Sequence, residues 1–240
     1  MRTLKIFIIV LLIVLVGLSI KFFPLGQKLY VLATLDDPDR IVRNLRDMEK
    51  IAEHRVIDKS SAPYSLPRAL PATDRRFALP KTFESLGKTF ETAAFLDETQ
   101  STGILILHNG KVVYEDYARG LTETITHSAF SVSKSFTSAL VGLAIDDGYI
   151  GSEHDPVVEY LPGLKGTGYD GVTIAQCMEM ASGAKFSERY DGAESDMDRF
   201  KRHFALGRPI IDFLKTIEPG KKPGSYNGYN SLDAQVVGMV

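Results

Sequence analysis

The chain has 240 residues, 44% hydrophobic and 24% charged, which is ordinary globular usage and excludes a disordered or fibrous protein. Lys plus Arg total 28 against 30 for Asp plus Glu, a net charge of -2, so no basic excess marks a nucleic-acid partner. Cys177 is the only cysteine, and His54, His108, His127, His154 and His203 fall at no ligand spacing; an internal disulfide is excluded and no metal site is indicated.

In chain order, Arg2 and Lys5 precede a charge-free run from Ile6 to Ile20. Its fifteen residues fall short of the roughly 20 that a membrane span needs. Phe22, Phe23 and Leu25 extend the run, and Lys21 can snorkel toward headgroups. Gly17-Leu-Ser19 is a poor cleavage site, because apolar sequence continues past it. The expectation is an uncleaved signal anchor over 1–28, single-pass in the cell membrane, with the remainder exported to the periplasm or cell exterior. A cleaved signal would make the protein secreted.

Residues 29–80 read as a helix and a linker. Asp37-Pro38 supplies a cap and a first-turn proline, and Ile41, Leu45, Met48 and Ala52 recur at helical steps up to about His54. Pro63, Pro67, Pro71 and Pro80 then mark an extended tether along the domain surface, or a linker. Phe83, Leu86, Phe90 and Ala94 predict another helix. Gly103–His108, Asn109-Gly110 and Lys111–Tyr117 predict a hairpin, since both turn residues tolerate positive φ.

A helix is predicted from Ser131 to Asp146, stopped at Gly148, with Phe136, Leu140, Leu143 and Ala144 as its buried stripe. A short helix follows from Ile174 to Met180 with Thr173 as cap, then helices over Pro209–Ile217 and from Leu232 toward Val240. The last of these stops without a terminating signal, so the chain reads as cut short.

Three Ser-x-x-Lys matches occur, at Ser85–Lys88, Ser131–Lys134 and Ser182–Lys185. The chemistry needs Ser at the first turn of a helix with Lys on the same face, where the ammonium approaches the hydroxyl and burial lowers the Lys pKa. Only Ser131 opens a long amphipathic helix. On this ground alone it stands open between a nucleophile and a capping serine with a solvated Lys134. Pro223-Gly-Ser-Tyr-Asn-Gly-Tyr229-Asn230-Ser231 could bring a phenol to that pair, or be a packed loop. Gly166-Thr-Gly168-Tyr-Asp-Gly171 spells a dinucleotide fingerprint but opens no long helix, so it carries no cofactor expectation.

Taken together, Gly103 to Lys111, Phe130-Ser-Val-Ser-Lys-Ser-Phe-Thr-Ser138, Gly148-Tyr-Ile through Asp155 to Pro162, Met180-Ala-Ser-Gly183 and Pro223-Gly-x4-Tyr-Asn-Ser231 resemble the serine β-lactamase and penicillin-binding-protein superfamily. The blocks are most similar to its class C-like branch, which includes esterases and 6-aminohexanoate-dimer hydrolases. The resemblance covers roughly 102–240. It implies an α/β (α+β) fold over 81–240, an antiparallel sheet flanked by helices with an all-helical subdomain.

It also implies roles. Ser131 would attack an ester or amide carbonyl, and its backbone N–H would supply half of an oxyanion hole. Lys134 would take or hold its proton, and Tyr229 would relay a proton to the leaving group, with Tyr226 the competing tyrosine. Ser231, Tyr190 and Asp196 would line the substrate site, which takes a small-molecule ester or amide and no cofactor. The family's later strand, with Lys-Thr-Gly or a His-containing equivalent, has no match in the nine residues after Ser231. The sheet is therefore expected to be incomplete. The alternative is a truncated, non-catalytic relative that at most binds acyl ligands.

Overall fold

The computed structural model describes residues 2–35, 37–51, 54–69, 78–189 and 195–240, with side chains from residue 16 onward. The chain divides into two compact units, 1–128 and 129–240.

In the first unit, Arg2–Ala33 form one helix, α1, with Pro24 inside it. Among the described residues no helix is long and apolar enough to cross a membrane. The amphipathic pattern that follows yields only a four-residue helix, α2 (Ile41–Asn44), and a tight turn at Met48–Lys50. The single helix expected to run to His54 is therefore broken, and Ala52 lies outside the described residues. Local polar bonds outcompete it: the buried Asn44 amide donates to Thr34 O at 2.6 Å, and the Arg46 guanidinium donates to the carbonyls of Arg119 and Gly120. Of the Pro-rich tether, 67–69 runs along the edge of the later strand: Val112 N–H donates to Pro67 O (2.8 Å), and Ala69 N–H donates to Val112 O (3.0 Å).

The helix expected after Pro80 is instead a hairpin, β1 (Thr82–Ser85) with β2 (Lys88–Glu91), followed by α3 (Thr92–Glu98). Leu86 and Gly87 both take positive φ (50° and 72°), the geometry of a two-residue hairpin turn. Phe83 and Phe90 then sit opposite one another and stack at 5.4 Å, with Phe95 edge-on to Phe83 at 5.2 Å. The first Ser-x-x-Lys match is thus a strand pair, Ser85 opposite Lys88. The predicted hairpin is present as β3 (Gly103–His108) and β4 (Lys111–Tyr117), turning at Asn109-Gly110 with an irregularity between Ile106 and Leu107. Among the described residues the sheets are these two separate pairs.

The second unit is helical. A tight turn at Phe130–Val132 leads into α4 (Ser133–Asp146), followed by α5 (Val157–Tyr160), α6 (Ile174–Met178), α7 (Asp196–Ala205), α8 (Ile210–Leu214) and α9 (Ser231–Val237). Thr173 caps α6 through a reciprocal box with Gln176 (3.2 and 3.0 Å). Val157, Leu164, Val172, Ile174, Leu214, Leu232 and Val236 are fully buried in one core. Each such side chain contributes about 1.5–3 kcal/mol by leaving water. α9 packs on α6 and α4.

The expected stripe of α4 is corrected at Phe136, Leu140 and Leu143, while Ala144 packs on the core as expected. Phe136, Leu140 and Leu143 are 59–68% exposed, while Val141 is buried and Ala144 and Ile145 pack on the core. α4 is apolar on two faces, and periodicity alone cannot say which one the core takes.

Gly166–Gly171 is a tight loop whose close approach explains its glycine at 168. Gly168 N–H donates to Ile217 O at 2.7 Å, and a Cβ there would lie 2.5 Å from Glu218 O. Gly168→Ala is expected to cost about 1–3 kcal/mol by overpacking against backbone. Gly142→Ala, inside α4 with nothing within 4 Å of the added Cβ, is expected to gain about 0.5–1 kcal/mol. Urea unfolding midpoints of the two variants should move in opposite directions.

Candidate active site

Ser131 lies in the turn that feeds α4, where Phe130 takes φ 42°, uncommon for a residue with a side chain. The Ser133 hydroxyl closes the turn by donating to Phe130 O at 2.5 Å. The N-cap position belongs to Val132, and among the described residues no side chain caps α4, so the Ser131 hydroxyl is not spent on the helix end. It faces two other groups. Lys134 Nζ donates to Ser131 Oγ at 3.0 Å, and Ser131 Oγ and Tyr229 Oη share a hydrogen bond of 2.5 Å. Lys134 Nζ also sits 5.2 Å from the centre of the Tyr229 ring.

Tyr229 reaches this position from a loop pinned along its length to the stretch after α6. Gly224 N–H donates to Ala181 O (2.8 Å), the Asn227 amide to Glu179 O (2.6 Å), and Gly228 N–H to Met180 O (2.9 Å). Asn230 then caps α9 by accepting from Leu232 N–H at 2.9 Å. Of the two candidate tyrosines, Tyr229 is the one bonded to Ser131. Tyr226 packs against Gly228, with Lys221 Nζ 3.2 Å from its ring centre.

Hydrogen bonds from Ser131, and then from Lys134, hold the Tyr229 hydroxyl below the ordinary phenol range, against a smaller opposing effect of burial. In its phenolate form, a tyrosine so placed can accept the serine proton. The nearby ammonium favours the phenolate, and a serine in such a contact can act as a nucleophile in acyl transfer.

The other expected residues make contacts of their own. Ser231, the first residue of α9, gives both its N–H (2.9 Å) and its hydroxyl (2.6 Å) to the Glu188 carboxylate. Asp196 opens α7, accepting from Ser187 N–H at 2.9 Å and pairing with Arg199 at 2.9 Å. Tyr190 lies outside the described residues. A cavity of about 570 Å³ has Tyr229 in its wall, along with Lys185, Glu188, Asp196, Lys221 and Tyr226; Ser131 and Lys134 do not line it. Among the described residues no group of three or more His, Cys, Asp or Glu side chains could hold a metal ion.

Two residues were not singled out from sequence. Glu188 stood in an acidic stretch with no spacing to distinguish it. Asp233 carried a readable signal: a charged residue on the apolar side of the last helix, between Leu232 and Val236. It is fully buried.

A family model described as "Beta-lactamase" matches residues 91–240. The 6-aminohexanoate-dimer hydrolase of Paenarthrobacter ureafaciens is 35% identical over 152 residues, 60% of this chain and 38% of that protein. A β-lactamase of Pseudomonas fluorescens is 28% identical over 170 residues, 67% of this chain and 41% of that protein. The chain therefore spans less than half the length of these curated relatives. A solved structure from Bacillus anthracis, provisionally described as a 6-aminohexanoate-dimer hydrolase, superposes with a TM-score of 0.69 at 22% identity. It covers 85% of this chain and 54% of its own, and shows a shared fold.

In an ultraviolet pH titration of the intact chain, one tyrosine is expected to ionise at lower pH than an ordinary phenol, and Tyr229→Phe should remove that early component. Lys134→Ala should move it upward, because the cation that favours the phenolate is gone. An unchanged titration in both variants would separate Tyr229 from the pair.

Proposed function

From the premise that this chain belongs to the β-lactamase family, whose relatives are hydrolases, we propose that it is a serine hydrolase cleaving an ester or amide through an acyl-enzyme on Ser131. The observation that carries this reading is the continuous contact from Lys134 to Ser131 to Tyr229. Of the three Ser-x-x-Lys matches, only this one has a phenol bonded to the serine among the described residues.

The steps follow from the contacts. Ser131 Oγ attacks the acyl carbon while its proton passes to the Tyr229 phenolate, and the Lys134 ammonium offsets the negative charge that develops. The carbonyl oxygen becomes an oxyanion facing the backbone N–H of Ser131. As the tetrahedral species collapses, the C–O or C–N bond breaks, and Tyr229 returns the proton to the departing alcohol or amine. Water then repeats the sequence on the acyl-serine, regenerating Ser131 and releasing the acid. The cavity beside Tyr229 receives part of the substrate. Its walls carry both charge signs, through Lys185 and Lys221 against Glu188 and Asp196, which suits a small polar ester or amide.

Separately from the chemistry, we propose that the N-terminal run holds the chain at a membrane with the hydrolase exported, although no described helix is long and apolar enough to cross one. Its support is the charge-free stretch 6–20, together with Val16, Leu18, Ile20, Phe22 and Phe23, all 46–70% exposed on α1. The full chain should then remain in the pellet when its own membranes are washed with alkaline carbonate. Release into the wash would remove the anchor.

For the chemistry, a fluorophosphonate probe is expected to label the folded chain at Ser131, located by peptide mass. Ser131→Ala should abolish labelling and Ser133→Ala should not. Lys134→Ala and Tyr229→Phe should each slow it by about 10²-fold or more, the usual contribution of a positioned proton-transfer group. A folded chain that takes up no probe at Ser131 would sink the proposal and favour a non-catalytic acyl binder.

A further inference from the structure

The inner face of α9 is apolar except at one place. Asp233 is fully buried between Leu232 and Val236. Burying a carboxylate is costly, and apolar replacements of buried charges are often neutral or stabilising. Stability alone therefore gives a weak reason for it.

Its contacts give a stronger one. Oδ1 accepts from three side chains of three segments: the Ser182 hydroxyl (2.7 Å), the Asn230 amide (2.9 Å) and the Tyr169 hydroxyl (3.0 Å). Oδ2 is buried with no hydrogen-bond partner among the described residues. Asn230 lies between Tyr229 and Ser231 in the chain, and its other amide atom caps α9. Asp233 therefore fixes which way that amide faces. Ser182 belongs to the stretch whose Met180 and Ala181 carbonyls hold Gly228 and Gly224.

We infer that Asp233 is the positioning residue of this site: its carboxylate fastens Asn230 to Ser182 and Tyr169, and so holds the backbone that presents Tyr229 to Ser131. The inference deepens the serine hydrolase reading and rests on it for its kinetic arm. The groups facing the carboxylate are Tyr169 from the loop before α6, Cys177 from α6, Glu188 from the stretch before α7, and Ser182 and Asn230. Burial, with a smaller push from the Glu188 charge, raises Asp233 to about 6, against the lowering by Ser182 and Tyr169.

Ionisation has a direction here. The carboxylate makes three charge-assisted bonds through one oxygen. Protonation weakens them and puts a hydrogen on Oδ2, which has no hydrogen-bond partner among the described residues. The grip on Asn230 is tightest above about pH 6, although ionisation lowers global stability as pH rises through that value.

The test compares Asp233→Asn with the wild-type full chain. The wild-type rate of fluorophosphonate labelling at Ser131 should rise through a step near pH 6. Asp233→Asn, shaped alike but unable to ionise, should lack the step and label at pH 7.5 on the order of tenfold more slowly. Amide hydrogen exchange, which needs no chemistry, should be faster in that variant at 228–232 and unchanged in α7. If Asp233→Asn does not fold, Tyr169→Phe takes its place: losing one donor should move the step to higher pH. A step that survives in Asp233→Asn, or unchanged exchange at 228–232, would overturn the inference. A wild-type chain that never labels overturns the hydrolase reading instead, and the exchange result then decides the positioning role alone.

Discussion

A single hydrogen bond between residues 98 apart in sequence, Ser131 to Tyr229, is the constraint that the second unit serves. Neither partner is held by the other alone. Ser131 is fixed by a left-handed Phe130 and by the start of α4, Tyr229 by a loop pinned to the stretch after α6. The core ties the two: α9, which continues from the tyrosine loop, packs on both α4 and α6. Its apolar burial sets the approach of the backbones to within a few ångströms, and the polar contacts at the α9 end set the final geometry. Both site residues remain accessible, as a reacting pair must.

The electrostatics are arranged over a short distance. Tyr229 and Asp233 are four residues apart, yet their environments push them in opposite senses. The phenol at the surface is drawn down by Ser131 and Lys134, while the carboxyl one turn later is pushed up by burial. Paired groups with diverging environments are how one fold separates acid and base work. Here the separation is also spatial: the group at the surface meets Ser131, and the group in the core holds the surface group in place.

Legibility in the sequence followed how local each signal was. The β3–β4 hairpin was readable because Asn109-Gly110 fixes its own turn, and the α6 cap because Thr173 and Gln176 satisfy each other. The β1–β2 hairpin was not, because Leu86-Gly87 is an unusual turn pair and Phe83, Leu86, Phe90 and Ala94 mimic helical spacing. The packed face of α4 was misassigned because its other face is equally apolar. At the site, Ser131, Lys134 and Tyr229 were readable through motif order. Glu188 is not, and Asp233 is legible only as a charge on an apolar helix face, because the partners of both arrive only when distant segments meet.

The three Ser-x-x-Lys matches make the same point from the opposite side. Identical spacing becomes a hairpin closure at Ser85 and Lys88, and at Ser131 and Lys134 a hydroxyl with an ammonium and a phenol around it. At Ser182 and Lys185 the serine turns inward to Asp233, while the lysine pairs with Glu218 at the surface. The last case is the most instructive, because Ser182 is also a functional residue on the positioning argument, through its hydroxyl and without its lysine. A spacing motif states only that two side chains can share a face if the backbone is helical there. Which chemistry results depends on what the rest of the chain brings to that face. In this unit the deciding group is one tyrosine, held in reach by a buried carboxylate.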